Sequence, residues 1–257
     1  MPRQIFPLAG EWSAETLAFT SNRSGSDEVW LADADGENQR QVTRLDAYIV
    51  GFPRWSPDGK QIAFHARLPE VPQIYLLDAD GGVPRKVTSA AFGFFAPIWA
   101  TDGKHLFATG KVDGKDEIFR IGIADSKTEP LFGASESAPT PDGKRILYGK
   151  AKEPGIFSRA LEGDPSRNPE ERLVDDFIVL YGSMLPVLSG IYYTGFTPQI
   201  KPPAFRFFDY ATHRSKDIAP APFGLGSGLT LSLDEHELLY SAINDSSGDD
   251  LLLLEFQ

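Results

Sequence analysis

The sequence predicts an all-β fold: six four-stranded antiparallel sheets packed face to face round an axis, a propeller. Three observations predict it. A unit of 40–47 residues recurs along the 257-residue chain. Each clear copy carries turn chemistry of the Ser-Pro-Asp-Gly kind at a fixed place. Apolar residues between the turns alternate with period two, as strands do and helices do not.

The clearest unit runs from Trp55 to Thr88. Apolar residues before Trp55 supply a first strand. Ser56-Pro57-Asp58-Gly59 reads as a type I turn: Pro presets the second dihedral, Asp tolerates the third and Gly releases the fourth. Ile62 and Phe64 alternate with Gln61 and Ala63 on a second strand. Arg67 to Pro72 holds two prolines and reads as a loop. Gln73 to Asp78 is apolar on both faces, the mark of a strand buried on both sides. Asp80-Gly81-Gly82 turns the chain into a short polar fourth strand, Arg85 to Thr88. A single such sheet cannot bury both faces, whereas copies stacked round an axis can.

Trp55-Ser56-Pro57-Asp58-Gly59-Lys60, then Ile62-Ala63-Phe64, Ile74-Tyr75, Asp78 and Asp80-Gly81 resemble the repeat of the TolB-type β-propeller. In that family one repeat is one blade. The resemblance implies a propeller that binds a protein or peptide at its channel mouth. The family's N-terminal α/β domain has no counterpart in this chain, so the resemblance covers the propeller alone.

The second-strand anchors Leu17, Ile62, Leu106, Ile146, Ile191 and Leu238 lie 45, 44, 40, 45 and 47 residues apart. Six units fill residues 1–257 as one domain. Unit one shortens its turn to Ser13-Ala14-Glu15. Unit three keeps Trp99 and Thr101-Asp102-Gly103-Lys104. Unit four has Thr140-Pro141-Asp142-Gly143-Lys144, with Pro139 where Trp would stand. Unit five has only Leu188-Ser189-Gly190, and unit six Ser232-Leu233-Asp234-Glu235. Unit six ends after its third strand. Arg3 to Leu8 resembles a fourth strand and is expected to close the ring in the last blade, removing an open edge.

Composition narrows the function. Net charge is −11, with no dense run of Lys and Arg, which argues against nucleic-acid binding. No stretch approaches 18 apolar residues, so no membrane insertion is expected. Cysteine is absent, excluding disulfides, thiolate metal sites and a Cys nucleophile. No signal peptide is visible after Met1-Pro2-Arg3-Gln4. The chain reads as cytoplasmic if complete, and as periplasmic if the family resemblance extends to compartment.

The four histidines, His65, His105, His213 and His236, show no metal-ligand spacing. No serine sits in a Gly-x-Ser-x-Gly frame. Gly224 to Gly228 is Gly-rich but lacks the strand-then-helix context of a phosphate loop. No catalytic residue and no cofactor is therefore assigned.

In a meander of this kind, the Pro-Asp-Gly and Asp-Gly turns share one face. The second-to-third loops and the inter-blade crossings share the other, and variable loops on a rigid scaffold are where sites gather. The crossings bring Tyr48, Phe92, Phe94, Phe95, Glu136, Asp175, Asp176, Tyr181 and Phe223 to that loop face as candidate partner-binding residues. Three rings within Phe92–Phe95 alternate too closely for all to point inward. Loop acids such as Asp27, Glu28, Asp113, Asp116 and Glu117 read as solvated charge, or alternatively as a calcium or cation site. The leading expectation is a non-enzymatic, monomeric interaction, sensor or scaffold module with a protein or peptide ligand. The alternatives are a channel-site lyase or hydrolase, or the non-catalytic propeller of a larger peptidase or regulator.

Overall fold

The computed structural model describes residues 11–13, 16–163, 169–178, 183–195, 203–222, 225–232, 237–244 and 248–255. Every regular element among them is a strand, and no helix occurs. The first sheet holds β1 (Glu11–Ser13), β2 (Thr16–Ser21), β3 (Glu28–Asp33) and β4 (Arg40–Gln41). The second holds β5 (Val50–Trp55), β6 (Gln61–Ala66), β7 (Gln73–Asp78) and β8 (Arg85–Lys86). The third holds β9 (Phe94–Trp99), β10 (His105–Val112), β11 (Lys115–Gly122) and β12 (Thr128–Phe132). The fourth holds β13 (Glu136–Pro139), β14 (Arg145–Lys150), β15 (Glu153–Ala160) and β16 (Glu171–Val174). The fifth holds β17 (Met184–Pro186), β18 (Gly190–Gly195), β19 (Ala204–Asp209) and β20 (Arg214–Pro220). The last holds β21 (Leu225–Leu231), β22 (Glu237–Asn244) and β23 (Gly248–Glu255).

Each sheet is an antiparallel meander with its strands in chain order. Six four-stranded blades were expected. Five four-stranded blades are found, followed by a three-stranded sheet in which no strand pairs with the far side of β23 among the described residues. The expected closing strand, Arg3 to Leu8, lies outside the described residues.

The turns form as their chemistry dictates. The Gly59 N–H donates to the Ser56 carbonyl at 2.8 Å, with Gly59 at φ 68°. The Ser56 hydroxyl donates to Asp58 Oδ1 at 2.7 Å and accepts from the Gln61 N–H at 2.9 Å. The Ser56 hydroxyl and the Lys60 N–H hold the Asp58 carboxyl below its ordinary range. The same bond recurs as Gly103 to Ala100 (3.0 Å) and Gly143 to Thr140 (2.8 Å). Unit five departs as its sequence said. Val187 and Gly190 exchange backbone hydrogen bonds across a shorter turn. A Cβ on Gly190 would sit 2.0 Å from the Phe208 carbonyl oxygen, so only glycine fits.

The core lies between sheets. Trp55 and Ile62 pack on Ala18 and Leu31 of the first blade. Trp99 and Leu106 pack on Ala63 and Leu76 of the second. Leu147 and Val174 meet Ile191 and Phe208 across the fourth and fifth blades. Leu239 of the last sheet packs on Leu17 and Phe19 of the first, so the sheets close a ring by side-chain packing. These interfaces bury both faces of the blades, which is why β3 and β7 are apolar on both sides.

Candidate functional site: the loop face of blades two and three

The division of faces is visible in the backbone. The Tyr48 N–H donates to the Arg67 carbonyl (3.2 Å) and the Arg67 N–H to the Ile49 carbonyl (2.9 Å), stitching a crossing to the β6–β7 loop. The Phe94 N–H donates to the Pro72 carbonyl at 2.8 Å, joining that loop to the next crossing. On the opposite face, the Ala79 N–H donates to the Lys60 carbonyl (2.8 Å) and ties the two tight turns of blade two together.

The candidate residues separate into three groups. Tyr48 is 73% exposed, with the Arg67 guanidinium 5.7 Å from its ring centre. Phe92 and Phe95 are half-buried. Phe94 and Glu136 are corrections, because neither can touch a partner. Phe94 is fully buried, 5.1 Å from the Phe92 ring and 5.2 Å from the Phe119 ring. Glu136 is buried at the start of β13, where its Oε1 accepts the Ser183 N–H at 3.0 Å and braces one blade to the next.

Asp175 and Asp176 are held by ion pairs. Asp175 is exposed and pairs with Arg172 at 2.8 Å. Asp176 pairs with Arg206 on β19, the third strand of its blade, and accepts from the Tyr193 hydroxyl at 3.1 Å. Tyr181 and Phe223 lie outside the described residues.

Between Phe52 and Phe95 sits a histidine that the sequence does not distinguish from an ordinary strand residue. His65 on β6 is 3% exposed. Its ring lies 5.5 Å from Phe52 and 5.6 Å from Phe95. Its Nδ1 accepts the Ala96 N–H at 3.5 Å, across the blade interface. Burial pushes its pKa down to about 4, so the ring is neutral near pH 7.

Phe52 (φ 55°) and Ala96 (φ 47°) occupy the left-handed region, each immediately before a proline. The register against the second strand shifts at both places, between Gly51 and Arg54 and between Phe95 and Ile98. These are β-bulges, which bend a first strand and re-aim its side chains. Backbone strain of this kind costs about 1–3 kcal/mol and gathers at functional sites.

Second-strand positions equivalent to His65 are also polar and buried: Thr20, Thr109, Thr194 and Ser241. The Thr109 hydroxyl donates to the Ser135 carbonyl at 3.0 Å, again across to the next blade. The signal was present in the repeat, as a polar residue three positions after five of the six anchors, with Gly149 after Ile146.

The loop acids are not one class. Glu28 begins β3 and is 1% exposed. It accepts from the Thr43 hydroxyl (2.6 Å), the Leu45 and Asp46 N–H groups (2.8 and 3.0 Å) and the Ser26 hydroxyl (3.1 Å). Reading Glu28 as solvated charge is therefore corrected. It pins a crossing, as Gln73 does through Thr88 and Ala90 in the next blade. Burial raises the Asp27 pKa, partly offset by the Val50 N–H. Among the described residues no three His, Asp or Glu side chains converge as a metal site.

Residues 7–173 match the family model described as the TolB beta propeller domain. The "Tol-Pal system protein TolB" of Alcanivorax borkumensis is 34% identical over 114 residues, covering 43% of this chain and 26% of that protein. The "Uncharacterized peptidase YuxL" of Bacillus subtilis is 40% identical over 132 residues, covering 46% of this chain and 20% of that protein. The crystal structure of TolB from Acinetobacter baumannii superposes with a TM-score of 0.76 at 20% identity, covering 94% of this chain and 61% of that one. At that identity the likeness is one of fold. The chain spans less than half the length of these curated relatives. With the repeat chemistry, the ring of antiparallel sheets and a family match over most of its length, the chain belongs to the TolB β-propeller family.

Proposed function

We propose that this propeller is a non-enzymatic module that binds a protein or peptide through the loop face of blades two and three. The observation that carries the reading is Tyr48, 73% exposed and held under the Arg67 guanidinium. Tyr and Arg are the side chains in which interface energy concentrates, because they offer large contact area with a polar tip. Phe92 and Phe95, at the next crossing, add half-buried apolar surface. The bulges at Phe52 and Ala96 re-aim side chains on the two first strands that follow these crossings. The relative named as a Tol-Pal system protein supports a protein as the kind of partner. The Bacillus relative is named a peptidase, and this chain spans a fifth of it. No Gly-x-Ser-x-Gly frame occurs in this sequence, so that activity is not carried over.

The test is calorimetric titration of a captured partner into the parent and two variants. Tyr48→Ala should weaken binding by about 1–2 kcal/mol, with the melting temperature unchanged. Val83→Ser, on the Asp-Gly turn of the opposite face where Val83 is 95% exposed, should bind as the parent does. Equal affinity of parent and Tyr48→Ala would sink the reading.

On architecture, we propose a single propeller domain whose three-stranded last sheet is a sixth blade, completed by residues 3–8 as a fourth strand. The support is the unpaired far side of β23 among the described residues, and the likeness of Arg3-Gln4-Ile5-Phe6 to Arg85-Lys86-Val87-Thr88.

A further inference from the structure

The turn face is not uniform. Its irregularities coincide with a change at one position in the repeat, the residue paired with the second-strand anchor. That residue is Trp55 opposite Ile62, Trp99 opposite Leu106, Pro139 opposite Ile146 and Pro186 opposite Ile191. Trp55 and Trp99 fill the gap to the preceding blade, and the Trp99 indole N–H donates to the Arg54 carbonyl across it at 2.9 Å. Proline is too small to do this. A hollow of about 190 Å³ lies beside Pro139, between blades three and four. A larger cleft of about 340 Å³ lies between blades four and five. That is the size range of small-ligand sites.

The larger cleft is an aliphatic slot with a polar rim. Leu147, Leu173 and Leu188 line it, and Leu188 is 79% exposed at the shortened turn of unit five. The rim groups are mostly occupied. The Arg145 guanidinium donates to the Ser158 hydroxyl (2.7 Å) and pairs with Glu171 (3.4 Å). Asp142 accepts from the Thr140 hydroxyl (2.6 Å) and the Lys144 N–H (3.1 Å). The exception is Tyr210, whose buried hydroxyl has no hydrogen-bond partner. An unsatisfied buried hydroxyl is costly, and an acceptor brought into the cleft removes that cost. Arg145 and Glu171 pair with each other and Asp142 already accepts two hydrogen bonds, so the cleft favours a neutral ligand.

We propose that this cleft binds a neutral ligand with a branched aliphatic body and one hydrogen-bond acceptor, the chemistry of an aliphatic residue within a peptide. The aliphatic group enters between Leu147, Leu173 and Leu188, and a carbonyl accepts from the Tyr210 hydroxyl. The site lies on the face opposite Tyr48 and does not depend on the loop-face reading.

The experiment is an NMR amide-shift titration of the whole chain with N-acetyl-leucine-N-methylamide. Saturable shifts are expected at Leu188, Tyr210 and His213, with a dissociation constant of about 1 mM, in line with a ligand of that size. Tyr210→Phe should weaken binding about fivefold, the loss of one neutral hydrogen bond. Pro186→Trp should refill the gap and weaken binding at least about tenfold, as one well-packed group displaces another. Should Pro186→Trp not fold, Tyr210→Phe and the probe series still decide. N-acetylglycine-N-methylamide should give no saturable shifts. The proposal is overturned if the glycine probe binds as well, if Tyr210→Phe binds unchanged, if a folded Pro186→Trp binds unchanged, or if the carboxylate N-acetyl-leucine binds better than the neutral amide.

Discussion

His65 shows how much one side chain can be asked to do in this fold. Its imidazole is enclosed by Phe52 and Phe95 and accepts a backbone N–H from the next blade. Its pKa falls from 6.5 to about 4 because burial disfavours the cation. The unfolded chain therefore binds a proton at higher pH than the folded one. Between those two values the unfolded state holds more protons, so stability rises with pH and is lost as pH falls through the window. The expected loss from pH 7 to pH 4 is about 3 kcal/mol. Thermal melts of His65→Gln across pH 7 to 4 should show a flatter pH dependence than the parent, since Gln can still accept the Ala96 N–H without titrating. Parallel curves would show that other groups set the acid limit.

At the scale of elements, the repeat carries its own hydrogen-bond economy. Glu28 satisfies two backbone N–H groups and two hydroxyls where the crossing leaves blade one. Glu28→Ala would leave the buried Thr43 hydroxyl and the partly buried N–H groups without this acceptor. It should destabilise by about 2–4 kcal/mol in denaturant melts. A cost below about 1 kcal/mol would mean that the crossing is held elsewhere. Trp99→Phe removes the indole bond to Arg54 and should cost about 2 kcal/mol.

Much of this level was legible in the sequence. Ser56-Pro57-Asp58-Gly59 has only one comfortable conformation, and the anchors at Leu17 to Leu238 fall on β2, β6, β10, β14, β18 and β22. The candidate site was legible only in part. Tyr48 could be placed on its face, but Phe94 and Glu136 look like surface residues until the next blade is laid against them. The bulges at Phe52 and Ala96 left no trace, because the residue before proline ordinarily avoids the conformation that both adopt. Glu28 reads as a loop acid because its partners, Thr43 to Asp46, belong to a crossing that folds back onto it.

At the scale of the whole molecule, packing of Leu239 on Leu17 and Phe19 joins the last sheet to the first, and the ring so formed has two unlike faces. Deleting residues 1–9 should remove the proposed fourth strand of the last sheet and expose β23 as an open edge. A ladder of about four hydrogen bonds at about 1 kcal/mol each, with one buried apolar side chain adding about 2 kcal/mol, is a large share of an ordinary domain's stability. The melting temperature should fall steeply, with aggregation through the edge. An unchanged melting temperature would mean that the ring is sealed by packing alone, as Leu239 against Leu17 and Phe19 already begins to do. Sidedness is the central claim. The measurement that tests it most directly is hydrogen–deuterium exchange of the propeller with and without its captured partner, read peptide by peptide. Binding should slow exchange in the segments holding Tyr48, Arg67 and Phe92 to Phe95, and leave the Ser56–Lys60 and Asp78–Gly82 turns unchanged. Protection confined to those turns, with Tyr48 and Arg67 exchanging as in the free protein, would contradict it.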